Sequence, residues 1–141
     1  MTLEEIEESL PNGLHDSVIQ AVTMDYEQLR LTLRVDVLIG LPGQPLPDRE
    51  RYRAGVIVFE GVQFFSIEPP GAERTFQHPG SIWFKHERTP PDLIPQSVAP
   101  ALPEGTQCYS LFILNWFSSM HIAAAEVGFS WSESPENAEQ Q

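Results

Sequence analysis

The clearest pattern in the chain runs from Leu29 to Ile39. Leu29, Leu31, Leu33, Val35, Val37 and Ile39 fill the odd positions, while Arg30, Thr32, Arg34 and Asp36 fill even ones. A period of two held this long predicts a strand with one dry face and one wet face. Ser17 to Met24 alternates more weakly, with Val18, Val22 and Met24 on one face. The two runs read as a hairpin about Asp25-Tyr26-Glu27-Gln28. A four-residue loop sets Met24 against Leu29 and Val22 against Leu31. A two-residue loop sets Met24 against Leu31 and Asp25 against Arg30. Either register keeps the apolar faces together, which an odd loop without a bulge does not.

Before the hairpin, Thr2 to Leu10 reads as a short helix. Thr2 stands three residues ahead of Glu5, the spacing of a capping box, and Leu3, Ile6 and Leu10 share a side. Pro11-Asn12-Gly13 stops it. After the hairpin, three prolines between residues 41 and 50 enforce a loop. Strands are expected at Arg51–Phe59 and Val62–Glu68, with Gly61 between them as a bulge or a tight connection. Further strands are expected at Ser81–Glu87, Gln107–Phe117 and His121–Trp131, the last two joined at Ser118-Ser119-Met120. Residues 88–106 hold five prolines and read as a long loop of the kind that is functional or mobile. The expected fold is mainly β: an antiparallel sandwich or partly open barrel of six or seven strands with one short N-terminal helix. Residues 1–131 form the expected single domain, and 132–141 an acidic, disordered tail.

Composition narrows the function classes. The chain has 141 residues, 41% of them hydrophobic and 20% charged, which fits one globular domain. Net charge is −12, yet residues 9–125 carry only −4, because the acids concentrate at the ends: Glu4, Glu5, Glu7, Glu8 and Glu126, Glu133, Glu136, Glu139. With a single lysine, Lys85, the chain lacks the cationic groove that nucleic acid requires. No apolar run approaches the ~18–20 residues of a membrane span, and acids stand where a secretory signal carries bases. The expectation is a soluble, cytoplasmic protein. The acidic ends serve solubility on the plain reading and attraction to a basic partner on the sharper one.

Candidate chemistry is sparse. His15, His78, His86 and His121 lack the close spacing of metal ligands, and no cofactor is expected. His15-Asp16 could form a base and its orienting carboxylate, yet neighbours on an extended chain point to opposite faces. Asp16 is more simply a residue that fixes the turn after Gly13. Cys108, the one cysteine, lacks basic neighbours in sequence and reads as a small inert thiol. Gly-x-Ser-x-Gly and glycine-rich phosphate loops are absent. Arg49, Arg51 and Arg53 share a face if extended, for an anion or for the neighbouring acids Asp48 and Glu50. Phe64-Phe65 and Trp116-Phe117 put aromatic groups on both sides of a strand, so one of each pair lies on the second face. Phe65, Trp116 and Phe117, with His15 and Asp16, are therefore the candidate interaction or polar site.

Leu14-His15-Asp16-Ser17 followed by an alternating strand, Asp25-Tyr26 and Leu29-x-Leu31-x-Leu33 resembles a group of small bacterial β proteins that open Leu-His-Asp-Ala. Some of these are grouped with immunity proteins of polymorphic toxin systems. The resemblance spans about 25 of the 141 residues. It implies a cytoplasmic binding protein with no catalytic residues to transfer. The expected function is thus a non-catalytic domain that binds another protein, a basic one on the sharper reading of the charge, with self-association also open. Two alternatives stand beside it: a small-ligand barrel gated by residues 88–106, and a metal-dependent enzyme using His15 and Asp16.

Overall fold

Alternation in the Leu31–Val37 run closes one side of a sheet. All four odd-numbered side chains from Leu31 to Val37 are fully buried, while Arg30 and Arg34 face water. The computed structural model describes residues 1–14, 16–69, 84–88, 102–113 and 118–132, with 84–88 described by their backbone. In chain order these form α1 (Leu3–Ser9), β1 (Pro11–Leu14), β2 (Val18–Asp25), β3 (Arg30–Leu38) and a 3-10 turn (Asp48–Glu50). There follow β4 (Tyr52–Glu60), β5 (Phe64–Ile67), β6 (Phe84–Arg88), β7 (Gln107–Ile113), β8 (Ser118–Ala124) and β9 (Glu126–Trp131). Two antiparallel four-stranded sheets result, ordered β2-β3-β4-β9 and β5-β8-β7-β6. The fold is mainly β with one short N-terminal helix, and the sheets do not close into a barrel.

One core joins them. Leu31, Leu33, Val35, Ile57 and Phe59 of the first sheet pack in the same cluster as Tyr109, Leu111, Ile113, Met120 and Ile122 of the second. The rings of Phe59 and Tyr109 lie 6.2 Å apart, centre to centre. Each fully buried side chain of this size contributes about 1.5–3 kcal/mol. Helix α1 adds Leu3 and Ile6 to the same core, and the amide of Leu3 donates to the Tyr109 hydroxyl at 3.4 Å. Thr2 caps the helix, its hydroxyl accepting from the Glu5 amide at 3.1 Å. At seven residues the helix depends on this docking.

The hairpin takes the register that sets Met24 against Leu31 and Asp25 against Arg30. Pairing stops there, so Tyr26 to Leu29 form the turn. The Asp25 carboxylate caps it by accepting from the Glu27 and Gln28 amides, each at 3.0 Å. Leu29 therefore leaves the dry face: it adopts φ 52° and is 42% exposed. A register shift between Ile19 and Ala21 inserts Gln20 as a bulge. The bulge puts Ile19, rather than Val18, in line with Val22 and Met24.

Further corrections come from the turns. Pro11 to Leu14, expected only to stop the helix, forms β1. Ser118 to Met120, expected as a connection, opens β8. The single strand expected over His121–Trp131 is two, divided at Ala125, with β8 in one sheet and β9 in the other. Gly61 performs the same transfer between β4 and β5 at φ 64°. The two corners stack, the Ala125 amide donating to the Glu60 carbonyl at 3.0 Å. Only a residue without a Cβ fits at Gly61, because a Cβ there would lie 2.8 Å from that of Ala125. The arginine series is also broken: Arg49 sits in the 3-10 turn, and Arg53 lies on the core side of β4 with its guanidinium 4.4 Å from the Trp131 ring centre. The tail from 133 onward and residues 89–101 of the long loop lie outside the described residues.

Candidate functional site

The segment that carries Asp16 is anchored from behind. Asn12, on β1, donates its side-chain amide to the carbonyls of Leu38 and Gly40, at 3.1 and 2.7 Å. Gly40 in turn lies under the 3-10 turn, where a Cβ would fall 2.2 Å from the Arg49 carbonyl oxygen. Amides of Ile39 and Gly40 both donate to the Arg51 carbonyl, at 2.9 and 3.2 Å, drawing the proline-rich loop back across the end of β3. These contacts leave a surface cleft of about 480 Å³ walled by Asp16, Leu38, Arg49, Glu50 and Tyr52. Asp16 occupies its turn at φ 62°, a conformation aspartate tolerates better than most residues.

The cleft is electronegative. Tyr52 stands part-exposed in it, and its phenol is held above the ordinary tyrosine range. Burial is the largest cause, followed by the charges of Asp16, Glu50 and Asp36, each of which opposes a phenolate. A second cleft, also about 480 Å³, is walled by Glu4, Glu7, Glu8, Leu10, Asn12 and Gly13. Gly13 is required there, since a Cβ would fall 2.5 Å from Glu7 Cγ. Among the described residues, the two clefts present five carboxylates (Asp16, Glu50, Glu4, Glu7, Glu8) and one guanidinium, Arg49.

A different cluster occupies the outer face of the second sheet. Ser110 and His121 are register partners on β7 and β8, and the serine Oγ lies 2.7 Å from Nδ1 of the imidazole. Nε2 of His121 faces Glu68 Oε1 at 3.4 Å, just past the end of β5. With the proton on Nε2, Nδ1 accepts from the serine hydroxyl, which reproduces the order of groups in a serine nucleophile relay. Two requirements of that chemistry are unmet. Ser110 is only 4% exposed, and β7 is an interior strand whose amides are committed to β6 and β8 on either side. No adjacent pair of amides there is available to hold an oxyanion. The cluster ties β7, β8 and the exit of β5 together.

Of the residues expected to form a site, Asp16 lies in the first cleft and Phe65 packs against the core from β5, opposite Ile122. Phe64, its neighbour, falls on the outer face opposite Ala123, so this aromatic pair does straddle the strand. His15, Trp116 and Phe117 lie outside the described residues. Cys108 is half-buried on β7. Among the described residues no three His, Cys, Asp or Glu side chains converge as a metal site, and no helix is long and apolar enough to cross a membrane. Tyr52, Glu50, Ser110 and Glu68 were not anticipated. A hairpin register centred between residues 113 and 118 is the signal that would have paired Ser110 with His121.

Comparison with known proteins adds no relative: no family model, no curated protein and no solved structure matches the chain.

Proposed function

We propose that the chain is a non-catalytic, cytoplasmic binding domain whose partner is another protein with a basic surface, a role of the immunity type. The observation that carries this reading is the walling of both clefts by carboxylates, with a part-exposed tyrosine ring in the first. Carboxylates beside an aromatic ring are complementary to lysine and arginine, through charge and through the face of the ring. The net charge of −12 adds long-range attraction for a cationic partner and repels phosphate backbones. Burial of Ser110 and the commitment of its neighbouring amides weigh against a hydrolytic role for the Ser110–His121–Glu68 cluster.

The test is affinity purification from the native host at low and high salt, run in parallel with an Asp16→Asn/Glu50→Gln variant. A basic protein retained by the parent at low salt, released at high salt and missing from the variant is the expected result. An identical set of proteins on parent and variant, or none on either, overturns the reading.

A further inference from the structure

Among the described residues, the two sheets of four strands end at β2, β9, β5 and β6. An open edge invites another chain, and folded proteins blunt it with bulges, prolines, charges or brevity. β2 is bulged at Gln20. β5 has four residues and runs towards Pro69-Pro70. β6 reads Phe-Lys-His-Glu-Arg, ionisable at all but one position. β9 reads Glu-Val-Gly-Phe-Ser-Trp: no proline, one charge, and unbroken register from Gly55↔Trp131 to Glu60↔Glu126. Among the described edges its own sequence guards it least, with Glu126 its single charge.

The hydrogen bonding of β9 fixes what that edge offers. The Ser132 amide donates to the Ala54 carbonyl at 3.0 Å, continuing the β4–β9 ladder. In an antiparallel pair the bonded positions alternate, so Ser130, Gly128 and Glu126 also bond inward to β4. Val127, Phe129 and Trp131 therefore turn their amides and carbonyls outward, a template for three ladder steps. No described strand pairs with them.

Charge selects the occupant. Glu126 and Glu60 are exposed at one end of β9, and α1, which packs beside β9, carries Glu4, Glu5, Glu7 and Glu8 without a base. The neighbouring cations are engaged: Arg30 pairs with Glu60 at 3.2 Å, and Arg53 covers Trp131. A second copy of the chain would bring the same acids against these. We infer that β9 accepts an extended, lysine- or arginine-bearing segment of a partner protein as a fifth strand of the first sheet. Its apolar side chains lie beside Val127, Phe129 and Trp131, and its cationic ones lie on the side of Glu126. This rests on the proposed binding function and names the surface and the form of the partner.

The probe is a capped seven-residue peptide alternating lysine with valine, added to the full chain and followed by backbone amide resonances and hydrogen exchange. Amides of Val127, Phe129 and Trp131 are expected to shift and gain protection, and N-methylation of alternate peptide amides abolishes the effect. Replacing the three exposed acids in a Glu5→Lys/Glu8→Lys/Glu126→Lys variant weakens binding roughly tenfold, the size expected of three surface charge pairs. Shifts confined to Asp16 and Tyr52 overturn the edge while leaving the basic-partner reading intact. Equal binding of a glutamate–valine peptide overturns the choice of charge, and the absence of any shift overturns the proposal. Edge amides already protected in a chain of doubled mass would assign β9 to a second copy instead.

Discussion

Gly61 and Ala125 touch where two strands leave one sheet for the other, the Ala125 amide bonding to the Gly61 carbonyl at 3.3 Å as well as to Glu60. Gly61→Ala forces a Cβ into the 2.8 Å gap at a positive φ. Left-handed backbone and overpacking each cost about 1–3 kcal/mol, so a loss of about 2–6 kcal/mol is expected in urea denaturation. An added Ala125→Gly change returns the steric part and leaves the backbone part. A wild-type midpoint for the single variant would place the corner elsewhere.

Leu29 and Leu33 share a parity in the sequence and part company in the fold. Leu33→Ala is expected to cost about 2–5 kcal/mol, as for a fully buried leucine. Leu29→Gly, at φ 52° in an exposed turn, is expected to gain about 0.5–1 kcal/mol by relieving a left-handed side chain. Thermal melts of the two variants should move in opposite directions.

Ser110→Ala removes the partner of His121 Nδ1 inside the second sheet. An orphaned, part-buried ring nitrogen costs about 1 kcal/mol, the low end of the range for buried groups, and denaturation should show it. A reactive fluorophosphonate is expected to leave Ser110 unlabelled; stoichiometric labelling, lost in the alanine variant, would turn the cluster into a catalytic one.

Tyr52 sets an alkaline limit. Its phenol is raised in the fold, chiefly by burial and then by Asp16, Glu50 and Asp36. The folded chain thus holds this proton more tightly than the unfolded one, and the associated stability is full below the ordinary tyrosine pKa and lost as pH climbs above it. Ultraviolet titration should show a late phenol that is missing from a Tyr52→Phe variant. Asp16→Asn brings it earlier, and Tyr52→Phe removes this part of the alkaline loss. An unmoved titration in the Asp16→Asn variant would separate the two residues.

Strong alternation made β3 readable, and with it the antiparallel, mainly β architecture. What parity does not register is a change in path that preserves hydrophobicity. Ala125 is as apolar as its neighbours, so a strand that changes sheets there reads as one continuous run. Gln20 alters the count by one without altering the polarity, and Leu29 fits the odd series although its backbone has turned. The Tyr52 cleft depends on Gly40 bringing residues 49–52 back over β3, a contact that no local pattern encodes. Ser110 and His121 are eleven positions apart and meet only through the register of β7 on β8. A connection placed three or four residues too late in the sequence was enough to hide the pair.

The first sheet also has a history written into its strand order. Three of its strands lie between residues 18 and 60, and the fourth is β9, at 126–131. During vectorial synthesis β4 must remain without its final neighbour until more than sixty further residues have been made. Such long-range closure is slow and leaves an apolar ribbon open to the wrong chain. Nascent chains halted before Glu126 should therefore recruit holdase chaperones, and release from them should coincide with the arrival of β9.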